Sequence, residues 1–239
     1  MMRLDKFLCE MNIGSRQDVK KIIRAGKITV NGLPSLKPEM KIEEMTDKVV
    51  YNDTVLAYQP FQYYMLNKPS GVITATSDKK EKTVLDLIKE PIKKDLFPVG
   101  RLDKDTEGLL LLTNDGALAH RLLSPRFHVD KVYLAKVHGE ATAQMIQIFE
   151  NGIDIGTFNE PELTKPAALQ ILESGADSLV RITIREGKYH QVKRMCQRVG
   201  LEVYYLKREQ MGPICLDKTL KGGEYRVLSG KEVQLLKEI

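Results

Sequence analysis

The sequence predicts an α+β protein with a small N-terminal module followed by a larger second domain. Residues 1–60 combine two short helical patterns with alternating strand patterns, whereas residues 61–239 alternate apolar strands with short helices. The chain of 239 residues is long enough for one or two domains. We expect the linker at Ala57-Tyr58-Gln59-Pro60, because the residue before a proline is disfavoured in a helix.

Two helices and a hairpin are expected in the N-terminal module. Four apolar residues at helical spacing predict a first helix over about residues 3–11, and Ser15 with Asp18 forms a capping-box pattern that begins a second helix over about residues 16–25. The alternating stretch 27–30 then ends in Asn31-Gly32, a strong signal for a hairpin. The four apolar residues of the first helix are Leu4, Phe7, Leu8 and Met11.

Basic residues form a stripe beside the apolar face of the second helix. Arg16, Lys20, Arg24 and Lys27 fall within roughly 80° of one another at 100° per residue. The start R-L-D-K-F-L, the helix entry G-S-R and the ending A-G-K-I-T-V-N-G resemble the S4 RNA-binding module. The resemblance implies that the stripe contacts structured RNA through its shape and phosphates. The expected RNA contacts of this module are Arg3, Arg16, Lys20, Lys21, Arg24 and Lys27.

In the second domain, apolar runs and turn residues predict a strand at 63–66, a turn at 67–71 and a helix at 83–88. The run Leu109–Leu112 predicts a buried strand, Asn114-Asp115-Gly116 a turn, and residues 117–123 a helix. The alternating stretch 178–184 predicts another strand. It is followed by a loop at 185–189 and a helix that ends near Gly200.

The run from Gly100 to Gly116 carries the most unusual chemistry. Asp103, Asp105 and Glu107 have the spacing of a calcium loop, but Asn114 stands where such a loop needs a glutamate, and four leucines intervene. A carboxylate on a loop beside a rigid strand can instead act as a nucleophile, with a neighbouring cation keeping it ionised. The residue types alone also fit a turn or a cap.

The uninterrupted run G-R-L-D-K-D-T-E-G-L-L-L-L-T-N-D-G resembles the signature of pseudouridine synthases of the RsuA type. The resemblance makes Asp103 the catalytic carboxylate. It also places Tyr133, from the K-x-Y element, against the target base. In E-G-K-Y-H-Q-V-K-R-M it implies that Lys193 pairs with Asp103 and that Val192 lines the base pocket, with Arg194 as the neighbouring alternative to Lys193. We expect Arg101 to help orient Asp103.

The resemblance implies a mainly antiparallel mixed sheet with flanking helices, folded in two halves around a central cleft. It also implies isomerisation of a uridine to pseudouridine in RNA, with the base flipped into the cleft and with neither metal nor cofactor. Tyr189-His190-Gln191 matches members that act on small-subunit RNA, so we expect 16S rRNA or an assembly intermediate as the partner. The alternatives are a large-subunit (23S) enzyme and a non-catalytic RNA-binding or assembly factor. Further expected RNA contacts are Arg121, Arg126, Lys188, His190, Gln191, Arg194 and Arg198.

Composition agrees with an RNA partner. The net charge of +5 is concentrated locally, since residues 1–30 hold seven basic and three acidic residues, and residues 185–208 hold seven and two. The three cysteines are far apart, which argues against a disulfide scaffold or a zinc ribbon. The start lacks the apolar stretch of a signal peptide. We therefore expect a soluble, cytoplasmic and monomeric protein.

Overall fold

The computed structural model describes residues 1–11, 13–35, 37–56, 58, 61–89, 95–157 and 159–239. Backbone contacts divide the described chain into two compact units, Met1–Phe61 and a second unit formed by Gln62–Lys89 and Asp95–Ile239. Of the predicted linker, only Tyr58 lies among the described residues. Within the described ranges, no helix is long and apolar enough to cross a membrane.

The first unit contains the two predicted helices, and the capping box of Ser15 and Asp18 is confirmed. Gly26 follows the second helix with a φ of 68°, and Asn31-Gly32 turns the hairpin with φ values of 52° and 82°. The apolar faces of both helices pack on the short strands to form one core. The elements are β1 (Met2–Arg3), α1 (Leu4–Glu10), α2 (Arg16–Arg24), β2 (Ile28–Val30), β3 (Leu33–Pro34), β4 (Lys41–Ile42), β5 (Val49–Tyr51) and β6 (Thr54–Val55).

The second unit is built on one mixed sheet with strand order β11-β12-β10-β13-β9-β7-β15. The strands are β7 (Tyr63–Lys68), β8 (Phe97–Pro98), β9 (Glu107–Thr113), β10 (Lys131–His138), β11 (Ala168–Glu173), β12 (Asp177–Ile184), β13 (Glu202–Met211), β14 (Ile214–Cys215) and β15 (Tyr225–Val227). The helices are α3 (Gly116–Leu123), α4 (Ala143–Asn151), α5 (Gln191–Arg198) and α6 (Gly230–Lys237). The predicted α+β class with a mainly antiparallel sheet is confirmed.

The pair β9–β13 is parallel and joins the two halves of the sheet. The amino end of β9 lies beside the middle of β13, where Gly108 is opposite Arg208. Gly108 has a φ of 99°, and a Cβ at this position would lie 2.3 Å from the carbonyl oxygen of Arg208, so only glycine fits here. This close approach brings the loop before β9 next to α5, the helix that leads into β13.

The four leucines of β9 are all buried, as predicted for a strand covered on both faces. Leu109 and Leu111 pack in the core cluster that also includes Leu118 and Leu122 of α3. Glu107 belongs to the strand and so cannot serve as a ligand of a calcium loop. Asp115 caps α3 by accepting a hydrogen bond from the Leu118 amide at 3.0 Å.

Two local predictions are wrong. Asn67 and Lys68, predicted in a turn, extend β7 because their polar side chains find buried carbonyl partners. The predicted helix at 83–88 is a single 3₁₀ turn, Leu85–Leu87. Asp86 accepts hydrogen bonds from the Thr83 amide and hydroxyl, and these local bonds compete with helix formation.

Candidate active site

A cleft of about 800 Å³ opens in the second unit. One wall is the loop before β9, which contains residues 101–106, and the opposite wall is the loop and first turn that lead into α5. Strands β10 and β13 form the floor between them. The volume is in the range of small-molecule sites and can admit a nucleotide.

Asp103 lies in the wall formed by the loop, with 30% of its side chain exposed. Its Oδ2 is 3.8 Å from the Lys193 Nζ, and its Oδ1 is 3.5 Å from the His190 Nε2. Both partners come from the opposite wall, near the start of α5. The carboxylate therefore faces the cleft with one fixed cation and one imidazole close to it.

Lys193 makes its shortest contacts with a different carboxylate. Its Nζ lies 2.7 Å from both oxygens of Asp105. Burial opposes ionisation of Asp105, but the hydrogen bond and charge of Lys193 outweigh it and hold the pKa of this carboxyl below its ordinary value. Lys193 therefore lies between two aspartates. Its expected ion pair with Asp103 is present, but it is longer than the ion pair with Asp105.

Lys68 anchors the loop from beneath. Its buried Nζ donates to the carbonyl oxygens of Lys104 at 3.1 Å and Thr106 at 2.8 Å, and to that of Pro69 at 3.1 Å. Burial lowers the pKa of Lys68 to about 8, while Asp105 and Asp103 partly oppose this effect. The two loop carbonyls flank Asp105, so Lys68 fixes the backbone that carries both aspartates.

The floor of the cleft carries an aromatic ring between two buried cations. Tyr133 of β10 is directly opposite Arg208 of β13, and Lys131 lies two residues earlier on the same face. The Arg208 Nε donates to the Leu109 carbonyl at 2.7 Å, which connects the two halves of the sheet. Burial, together with the positive charge of Arg208, lowers the pKa of Lys131 to about 8. Val192 lines the cleft from α5.

The other expected site residues differ in their contacts within the second unit. Arg101 lines the cleft and is exposed, and it forms no hydrogen bond or ion pair with Asp103 or any other described residue. Gln191, an expected RNA contact, is buried and binds Glu186 and the Lys188 amide. Lys188 and Arg194 pair with Glu162, so they stabilise the wall of the cleft. Arg198 donates to the carbonyl oxygen of Gly156.

Basic residues on the first unit are arranged differently. Arg16, Lys20, Lys21, Arg24 and Lys27 are exposed, and none forms an ion pair with any residue in the described ranges. Arg3 is bound to Asp5 through two hydrogen bonds. In the second unit, Arg126 is also exposed, and Arg121 donates to the Lys237 carbonyl at 3.4 Å.

Residues 62–198 match the family described as RNA pseudouridylate synthase, and this range includes the loop before β9, strand β10 of the floor and α5. The chain belongs to this family. Residues 2–48 of this synthase match the S4 domain. Both resemblances seen in the sequence motifs, to the RsuA type and to the S4 module, are therefore confirmed, and the protein is an isomerase of the pseudouridine synthase type.

Known relatives match this pseudouridylate synthase over almost their whole length. It is 45% identical over 240 residues to "Uncharacterized RNA pseudouridine synthase YtzG" of Bacillus subtilis (strain 168), with 99% of each chain covered. It is 41% identical to "Ribosomal small subunit pseudouridine synthase A" of Escherichia coli (strain K12), covering 97% of this chain and 98% of the relative. A solved structure, "Crystal structure of pseudouridylate synthase", aligns with a TM-score of 0.67 at 37% identity and covers 99% and 100% of the two chains.

Sequence reasoning missed three polar residues of this synthase: Asp105 in the loop of Asp103, Lys68 beneath that loop, and Arg208 in the floor of the cleft. The sequence signal for Asp105 is its spacing from Asp103 and Glu107, which imitates a calcium loop. Lys68 falls in a stretch that predicts a turn, and Arg208 falls in the basic segment 185–208. Lys68 bonds to Thr106 over 38 residues, Asp105 to Lys193 over 88 and Arg208 to Leu109 over 99, so no local pattern reports these contacts.

Proposed function

We propose that this protein isomerises a specific uridine of small-subunit ribosomal RNA to pseudouridine, with Asp103 as the catalytic carboxylate. The observation that carries the proposal is the position of Asp103, whose carboxylate faces a nucleotide-sized cleft 3.8 Å from the Lys193 Nζ. Opposite the loop that carries it, Tyr133 and Val192 provide the flat apolar surfaces that a flipped base needs.

In the proposed reaction, the target uridine leaves its stack and enters the cleft. The bond between N1 of uracil and C1′ of ribose breaks, the ring turns, and C5 bonds to C1′. The proton of C5 is lost and N1 gains one, so the reaction is an isomerisation. Asp103 either attacks C1′ or removes a sugar proton to give a glycal, and both routes require it to be ionised and close to the sugar.

The neighbouring residues are proposed to hold the Asp103 carboxylate in position for this step. Lys193 places a positive charge 3.8 Å from the Asp103 carboxylate, and Asp105 holds the Lys193 Nζ in place through two contacts of 2.7 Å. Lys68 fixes the loop backbone on both sides of Asp105. Asp105 and Lys68 are thus positioning residues. The cleft lies within one chain, which supports action as a monomer.

The choice of small-subunit RNA is supported by the relatives named for that subunit and by the sequence Tyr189-His190-Gln191. The first unit, with the exposed cations of its basic stripe and its match to the S4 domain, supports a structured RNA as the partner. A ribosomal assembly intermediate offers the same features as free 16S rRNA.

The test is to map pseudouridines in 16S and 23S rRNA after incubating bare RNA and partly assembled particles with the purified protein. We expect one new pseudouridine in 16S rRNA with the wild type and none with Asp103→Asn, although the variant still binds the RNA. New pseudouridine only in 23S rRNA would overturn the assignment to the small subunit. An Asp103→Asn variant as active as the wild type would overturn the role of Asp103.

A further inference from the structure

The loop that leads into α5 is held rigidly at the mouth of the cleft. The Lys188 amide donates to the Gln191 side chain at 3.0 Å, and Gln191 in turn donates to Glu186 at 2.9 Å. The guanidinium of Arg194 donates to the Tyr189 carbonyl at 3.0 Å. These bonds fix the backbone on both sides of Tyr189.

Tyr189 presents one face of its ring to solvent. It is 75% exposed, which makes it the most exposed aromatic residue in the described part of the chain. Its other face stacks on the His190 ring, with 3.8 Å between centroids and 19° between planes. The exposed ring makes no contribution to the core, and its open face is available for stacking against another ring.

His190 connects this ring to the catalytic carboxylate. Its backbone has a φ of 47°, a left-handed conformation that is unusual for a residue other than glycine. Its Nε2 lies 3.5 Å from the Asp103 Oδ1. The two stacked rings thus form a short platform that extends from Asp103 to the rim of the cleft, and strained backbone of this kind is concentrated at functional sites.

We propose that the open face of Tyr189 is a subsite for a nucleobase of the substrate RNA, namely the base next to the flipped uridine. The proposal rests on the proposed function, because a uridine that enters the cleft leaves its neighbour without a stacking partner at the rim. Every base has a π face, so this platform accepts the neighbour without reading its identity. Stacking on Tyr189 replaces the lost contact and so strengthens binding of the RNA whose uridine is already flipped into the cleft.

The experiment uses the RNA that the wild type modifies, as a fragment carrying 2-aminopurine next to the target uridine on either side. Tyr189→Ala removes the ring, and Tyr189→Phe is the matched control that keeps it. We expect the wild type and Tyr189→Phe to quench the probe at one of the two positions on binding and Tyr189→Ala to leave it bright. We also expect affinity for the RNA to fall about 10-fold in Tyr189→Ala, with the rate at saturating RNA retained.

The proposal is overturned if Tyr189→Ala quenches the probe and binds RNA as the wild type does. It is also overturned if Tyr189→Ala loses its rate at saturation while affinity is unchanged, because the ring would then act on the reaction itself. The thermal unfolding temperature of Tyr189→Ala verifies that this exposed substitution leaves the fold intact. If the wild type forms no pseudouridine, the proposed function fails before this subsite is tested, so the two failures are distinguishable.

Discussion

The cations of the two units are held in opposite ways. On the first unit, Arg16, Lys20 and Arg24 are exposed and form no ion pair with any residue the structure describes. At the cleft of the second unit, Lys68 is buried among three carbonyl oxygens, and Lys193 lies between two aspartates. Exposed charges attract phosphates without needing a fixed geometry, whereas held charges orient specific atoms. Removal of the exposed cations is therefore expected to weaken RNA binding, whereas removal of the held cations is expected to lower the reaction rate.

The largest effect is expected for Lys193→Met. This substitution keeps a long side chain and removes the charge beside Asp103, so the carboxylate loses the cation that positions it. We expect the rate at saturating RNA to fall by roughly 10²-fold or more, since small misplacements of catalytic groups have effects of this size. Affinity for RNA should change little. Single-turnover assays and RNA-binding titrations measure the two quantities separately.

Asp105→Asn is the matched variant, because it leaves Lys193 in place and removes only its closest partner. We expect a smaller loss, about 10-fold in the same rate, with KM unchanged. If Asp105→Asn were as fast as the wild type, Asp105 would not position Lys193. If Lys193→Met weakened RNA binding and left the rate intact, Lys193 would act in RNA binding, as the exposed cations of the first unit are expected to do.

Lys68→Met removes the fully buried ammonium group that anchors the loop. Three carbonyl oxygens lose their donor, so we expect the free energy of unfolding to fall by about 2 kcal/mol. The rate should fall as well, because the loop around Asp105 is no longer fixed. Lys104→Met is the control, since the side chain of this exposed lysine pairs with Glu81 and with no other residue in the described ranges, and the substitution should change stability by less than about 1 kcal/mol. Equal stability of the two variants would contradict the anchoring role.

The contrast also explains how much of the site the sequence could predict. Glycine positions and apolar spacing are local signals, and they correctly predicted α1, α2, the hairpin at Asn31-Gly32 and the strand of four leucines. The contact of Lys68 with the Thr106 carbonyl joins residues 38 apart, and that of Lys193 with Asp105 joins residues 88 apart. Periodicity shows which residues are buried but not which of them are opposite each other, so these pairs needed the fold.

An intermediate effect on binding is expected from the first unit. In Lys20→Gln with Arg24→Gln, two exposed cations of the stripe are lost while the apolar face of α2 is kept. We expect RNA affinity to fall about 10-fold at low salt, and the slope of log affinity against log salt to decrease by about 1.4–1.8, the value for two phosphate contacts. The rate at saturating RNA should stay that of the wild type.

Lys218→Gln with Lys231→Gln is the matched control, because both lysines are exposed and neither lines the cleft. The control should bind RNA with the wild-type salt dependence. A similar loss of affinity in both double variants would show that the stripe acts only through net charge. A drop in the saturated rate of the stripe variant would mean that its cations also position the target.

The smallest effect concerns the cost of holding a charge inside the second unit. The pKa of Lys131 is about 8 in the folded protein and near 10.5 for an ordinary lysine, because burial and Arg208 disfavour the charged form. Between these values the unfolded chain binds more protons, so stability should rise with pH there. We expect the free energy of unfolding of the wild type, relative to Lys131→Met, to increase by on the order of 1 kcal/mol between about pH 7.5 and about pH 9.5.

Urea denaturation of both proteins at the two pH values measures this difference, and the contribution of Lys68 cancels because both proteins retain it. If the free energies of unfolding of the two proteins differed by the same amount at both pH values, Lys131 would be as well solvated as the cations of the first unit. The distinction between held and exposed charges would then not apply to the floor of the cleft.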